Sequence, residues 1–175
     1  MQRWATAQTP GQPDASAFIA KLVACRPVSG TAALVHNDFK LDNTIVDAAD
    51  PTRLVAILDW DMCTIGDPLA DLGNVLALWT EPGDPPLSTG SAMPTAAAGF
   101  QTRAELVERY ASATGRDCAR ATWYHAFNLF RYAAIAQQIY ARFVRGQTQD
   151  ERFRDFGRSV HALVERGQVL ADRGL

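Results

Sequence analysis

The chain has 175 residues, 47% of them hydrophobic and 21% charged, and a formal net charge of −2. That length suits a single domain with a real core, and so even a charge balance provides no field to attract nucleic acid or an anionic membrane. No apolar run approaches the ~20 residues of a membrane span, and the opening stretch MQRWATAQTPGQPD lacks the apolar core of a secretory signal.

Residues 1–13, rich in Pro, Gly and polar side chains, read as an irregular lead-in to one domain spanning 1–175. Asp14 is placed to cap a helix carrying Phe18, Ile19, Leu22 and Val23 on one face. Residues 27–30 end it. Short strands are predicted at 33–35, 44–46 and 54–58, with a polar loop from His36 to Asn43 and an Asp50-Pro51 turn between them. Asp67 then stands at a helix N-cap with Pro68 at the first helical position. Leu69, Leu72, Val75, Leu76 and Trp79 recur behind it at helical spacing.

Residues 81–99 hold four prolines and three glycines and form a long loop that could cover a pocket. Thr102 and Glu105 make a capping box for a helix bearing Leu106, Val107 and Tyr110. A long helix is predicted over 121–144, and a last one carries Phe153, Phe156, Val160, Leu163 and Val164. A few short strands before residue 60, followed mostly by helix, give an α+β, mostly helical fold class. Cys25, Cys63 and Cys118 form no CxxC pair, so neither a disulfide framework nor a zinc site is expected, and a reducing cytoplasm is the default setting.

The chemistry concentrates in LVHNDFKLDNTIV, residues 34–46, and VAILDWDMCTIGDPLADLG, residues 55–73. Phosphoryl transfer needs a carboxylate in a loop to orient a hydroxyl and take its proton. It also needs hard oxygen ligands for Mg2+, of which the protein supplies only one or two. Asp38 and Asn43 are five residues apart, the spacing of base and metal-binding Asn in the H-R-D-x-x-x-x-N loop of protein kinases. Asp59, at the end of an apolar strand, stands where a second metal-binding Asp belongs. Lys40, one of only two lysines in the chain, lies where a cation could reach the transferred phosphate. His125 and His161, on helices without a partner pattern, read as structural.

HNDFKLDN resembles the H-[GN]-D-x-x-x-x-N motif of aminoglycoside phosphotransferases and choline kinases. ILDWD followed by GDPLADLG is similar to their second motif. The pairing, together with FRYAAIAQQIYARFVRGQT, looks closest to the branch found beside or fused to acyl-CoA dehydrogenases. The resemblance implies a protein-kinase-like C-terminal lobe using ATP and Mg2+. It makes Asp38 the catalytic base, Asn43 and Asp59 the metal ligands, and Lys40 a phosphate contact. His36 and Asp71 would support the catalytic loop. Asp61 is acidic in that branch without an assigned role, and Asp67 reads as a helix cap.

A complete kinase also needs an N-terminal lobe with a phosphate-covering loop and a strand lysine, and nothing before residue 34 supplies these. The expectation is therefore a truncated catalytic lobe, with Met1 not the natural start, little activity alone, and apolar surface exposed where the other lobe would dock. The expected function is phosphorylation of a small-molecule hydroxyl, with a hydroxyacyl-CoA or hydroxy acid as acceptor. The expected partners are that acceptor and the missing lobe or an acyl-CoA dehydrogenase. A non-catalytic binding or scaffold remnant stays open as the alternative. A metal-dependent hydrolase has no histidine pair or second carboxylate cluster to support it.

Overall fold

The computed structural model describes residues 2–85 and 93–175. The middle of the predicted covering loop, 86–92, lies outside them. The lead-in is not irregular throughout: Gln2–Thr6 forms a short helix, α1. Burial accounts for this departure. Trp4 is only 7% exposed, with its ring 5.5 Å from that of Phe130. Behind it, the buried Gln137 amide donates to the Ala7 carbonyl (2.7 Å) and to Thr9 Oγ1 (2.9 Å), tying the lead-in down. Helix α2, Ser16–Ala24, begins where Asp14 Oδ1 accepts the Ser16 N–H at 2.8 Å.

The strands form two antiparallel pairs. β1, Ala33–Val35, pairs with β4, Thr64–Gly66, with Leu34 opposite Ile65. β2, Thr44–Val46, pairs with β3, Leu54–Ile57, with Thr44 opposite Ile57 and a bulge between Ile45 and Val46. β4 had no sequence signal, because TIG between two turns is too short to show an alternation. The pairs leave apolar surface outside: Leu34 is 57% and Ile65 71% exposed, and Ile45, Val46, Leu54 and Val55 are exposed too.

Helix α3, Leu69–Leu78, starts as expected, with Asp67 Oδ1 accepting the Leu69 N–H at 2.9 Å. Helix α4, Arg103–Thr114, carries the Thr102–Glu105 capping box, and α5 runs over Ala121–Val144. Phe153 does not join the last helix. It belongs to a 3-10 turn, Glu151–Phe153, that Asp150 caps, and α6 begins at Phe156 and ends at Arg173. No described helix is long and apolar enough to cross a membrane.

Helix α5 is the axle of the core. Ala126, Leu129 and Ala133 are fully buried between α3 and α6, which contributes Val160, Leu163 and Val164. A Cβ on Gly73 would sit 2.5 Å from the Tyr124 carbonyl oxygen. α3 and α5 therefore cross with backbone against backbone, which only glycine permits here. That crossing fixes where the polar residues of both helices meet the loop after β1.

Candidate active site

The loop after β1 is held from beneath by its own backbone groups. Asp71, in the first turn of α3, accepts the His36 N–H and the Asn37 N–H, each at 2.7 Å, one on each carboxylate oxygen. Asn74, one turn on, donates to the Phe39 carbonyl at 3.0 Å. Arg131 of α5 donates to the Asn37 carbonyl at 2.8 Å and to Asn74 Oδ1 at 3.0 Å. Tyr132 donates its hydroxyl to the same Asn74 oxygen at 2.8 Å. Burial, more than the charge of Asp38, pushes the Tyr132 phenol up to about 12, so it stays a donor.

His36 is buried, and its two nitrogens have separate roles. Nε2 lies 2.8 Å from the Leu58 carbonyl, which can only accept, so Nε2 carries the hydrogen. Nδ1 is then free to accept the Asp38 N–H at 3.2 Å. The imidazole thereby joins the loop after β1 to the end of β3, with the Trp60 ring 4.6 Å away. His36 and Asp71 thus both bond to the backbone of this loop.

Asp38, Lys40 and Asn43 form one hydrogen-bonded group. Lys40 Nζ is 2.9 Å from Asp38 Oδ2, and Asn43 Nδ2 reaches that same oxygen at 3.1 Å and the Asp38 carbonyl at 2.8 Å. One face of the Asp38 carboxylate is thus pinned, while its side chain keeps 24% exposure. A 3-10 turn, Leu41–Asn43, delivers Asn43 from the lysine back toward the aspartate.

Asp59 joins this group through its neighbour. The Leu58 N–H donates to the Asn43 carbonyl at 2.8 Å, and the Leu58 carbonyl receives His36. The hairpin of β2 and β3 therefore sets Asp59 one residue beyond a position locked to both His36 and Asn43. Its carboxylate is exposed and makes no hydrogen bond or ion pair with any described residue. Asp59 and Asn37 are the only described non-glycine residues at positive φ, 63° and 66°. Such backbone costs energy and collects at functional sites. Asn37 also donates through Nδ2 to the Met62 carbonyl at 2.9 Å, closing the ring of contacts around the turn that follows Asp59.

The other acidic residues fall outside this group. Asp67 caps α3 and accepts the Tyr124 hydroxyl at 2.7 Å. Burial first, and that hydrogen bond second, push the Tyr124 phenol up. Asp61 lies exposed in the 3-10 turn Trp60–Met62. Sequence reasoning missed Asn74, Asn128, Arg131 and Tyr132. The signal was an amide inside the apolar run of α3 and an arginine inside FNLFRYAAIA. Asn74 is 0% exposed, and a buried amide must be satisfied by something.

The donor set suits Mg2+. Asn43 spends its amide nitrogen on Asp38, which leaves Oδ1 as a hard oxygen, and the unpaired Asp59 carboxylate supplies a second. The described residues hold no cluster of three or more His, Cys, Asp or Glu.

The profile of the phosphotransferase enzyme family matches residues 1–124. Acyl-CoA dehydrogenase family member 11 of Pongo abelii is 32% identical over 142 residues, 80% of this chain and 18% of its own length. Acyl-CoA dehydrogenase family member 10 of Mus musculus is 29% identical over 166 residues, 94% of this chain and 15% of its own. A provisionally assigned aminoglycoside phosphotransferase from Ralstonia eutropha JMP134 superposes with a TM-score of 0.83 and 27% identity, covering 98% of this chain and 53% of that one. The chain thus spans about half of that structure and under a fifth of these curated relatives. With the family profile on most of its length and the matching architecture beneath it, the chain belongs to the phosphotransferase enzyme family.

Proposed function

We propose that this chain is the catalytic, C-terminal lobe of a kinase that uses ATP and Mg2+ to phosphorylate a hydroxyl of a small molecule. The observation that carries this reading is the Asp38 carboxylate, pinned on one oxygen by Lys40 and Asn43, with a strained and unpaired Asp59 following Leu58, which is bonded to both Asn43 and His36. Asp38 is the general base: its second oxygen orients the acceptor hydroxyl and takes the proton as the new O–P bond forms. Lys40, which holds Asp38 here, would also contact the transferred phosphate. Asn43 and Asp59 would hold Mg2+, which when bound offsets charge on the phosphate oxygens. His36, Asp71, Asn74 and Arg131 act on the loop backbone and keep these groups in register.

The acceptor we propose is a hydroxyacyl-CoA or related hydroxy acid, a reading supported by the acyl-CoA dehydrogenases among the relatives. The proposed partners are a nucleotide-binding lobe resting on the exposed apolar strands, or an acyl-CoA dehydrogenase. The setting is cytoplasmic, in keeping with three free cysteines. The isolated chain is expected to transfer little phosphate. The test joins it to a nucleotide-binding kinase lobe and follows radiolabelled phosphate from ATP to hydroxyacyl-CoAs, hydroxy acids and amino alcohols. Transfer to one class, reduced about 10³-fold by Asp38→Asn, is expected. Transfer that survives this substitution, or none to any acceptor, sinks the reading.

A further inference from the structure

We infer that the concavity between α2 and α5 is a second ligand site, shaped for an amphipathic anion: an unbranched acyl chain ending in a carboxylate. The cavity has a volume of about 640 Å³, within the range of small-molecule sites. Leu22 and Val23 of α2 face Trp123, Phe127 and Phe130 of α5 across it, and Arg26 is the one charged residue of the lining. The Trp123 and Phe127 rings stack at 5.2 Å with planes 5° apart, yet Phe127 stays 38% exposed. The indole N–H is already spent on the Leu22 carbonyl at 2.9 Å, so the aromatic wall offers a ligand only apolar surface.

Arg26 gives the site its sign. A cation at a helix C-terminus often serves the terminal carbonyls, but here that task is done by others. The Lys21 and Val23 carbonyls take the Cys25 and Arg26 N–H groups, and the Cys25 carbonyl takes the guanidinium of Arg120 at 2.9 Å. The Arg26 guanidinium has no hydrogen bond or ion pair with any described residue. A solvated guanidinium at the mouth of an aromatic trough matches a carboxylate head with an apolar tail. The site is separate from the catalytic cleft. Trp123, Phe127 and Phe130 each precede by one residue the Tyr124 and Asn128 that face the start of α3 and the Arg131 that holds the loop after β1, a turn of about 100° around α5.

The test is calorimetric titration of the chain with octanoate, decanoate and dodecanoate, and with uncharged decanol. Affinity should rise about fourfold per added methylene. Arg26→Gln should weaken the carboxylates about tenfold and leave decanol unchanged. Val23→Trp, at an exposed position, should fill the trough and abolish binding of all four without lowering Tm. No binding up to about 1 mM, or binding indifferent to both substitutions, overturns the proposal. So does a dimer in sedimentation that Val23→Trp dissociates, because a second copy would then be the occupant.

Discussion

Two polar networks lie against α5, and each is centred on an arginine. Around the loop after β1, Arg131 gives its hydrogen bonds to neutral acceptors: the Asn37 carbonyl and the amide oxygens of Asn74 and Asn128. Around residues 81–84, Arg103 serves two carboxylates besides the Leu76 and Trp79 carbonyls. It pairs with Glu81 at 2.7 Å and with Asp84, which also receives Arg166 at 3.5 Å. Burial raises the Asp84 carboxyl, but the Arg103 hydrogen bond, the Glu81 N–H and the Arg166 charge outweigh it and hold it below the usual range. The second network has more charge and less chemistry, since its carboxylates are already paired. The first holds its loop through Asp71, Asn74 and Arg131, and leaves one oxygen of Asp38 and the whole Asp59 carboxylate available. Density of charge does not mark a site; the functional groups that structure leaves unspent do.

Breaking the second network should cost the most stability. Arg103→Met leaves Glu81 without a cation and Asp84 with Arg166 alone, a loss of about 3 kcal/mol, read as a lower midpoint in urea. A fall well under that would mean that Arg166 alone suffices. Arg131→Met is the matched change in the first network. It orphans the Asn37 carbonyl and the Asn128 amide oxygen, Asn74 keeping Tyr132, for about 2 kcal/mol, and amide exchange should quicken across residues 36–43. If exchange there is unchanged while the whole chain destabilises, Arg131 is merely a core residue.

His125 sharpens the contrast by pH. Burial, with a smaller contribution from Arg103 and Arg166, lowers its imidazole to about 3. Its Nε2 and the Arg166 Nη1 are buried without partners among the described residues. The folded chain therefore resists a proton that the unfolded chain accepts below about 6.5. Stability is fully present above that pH and falls as the pH drops toward 3, by about 2 kcal/mol between pH 6.5 and 5. His125→Leu should flatten that slope, and an unchanged slope would assign the acid loss elsewhere. The smallest effect has the opposite sign. Asp59→Gly relieves a left-handed residue and should stabilise the fold by about 0.5–1 kcal/mol, while abolishing Mn2+-induced broadening of NMR signals near Asn43 in the presence of ATP. A destabilised variant would show that Asp59 is a structural residue.

Much of this was legible in the one-dimensional chain. The capping box at Thr102, the cap at Asp67 and the full span of α5 follow from local hydrogen-bonding chemistry and helical period, which neighbours in sequence suffice to express. The lead-in helix was not legible, because Trp4 needs Phe130, far along the chain, to bury it. β4 was missed for a related reason: three residues become a strand only when β1 lies alongside. Phe153 was assigned to a helix on periodicity alone, whereas it ends a separate 3-10 turn that Asp150 starts.

For the candidate site, the sequence by itself determined which side chains carry hard oxygens and at what spacing, because residue type and loop length are written in it. Only the tertiary structure decided what those groups do with one another. Asn43 reaches back to Asp38, Leu58 binds Asn43 and His36 at once, and Asn74 and Arg131 arrive from two helices to hold the loop. The physical reason is that a hydrogen bond depends on position in space, and residues 35 to 94 apart along the chain meet only after α3 and α5 have crossed at Gly73.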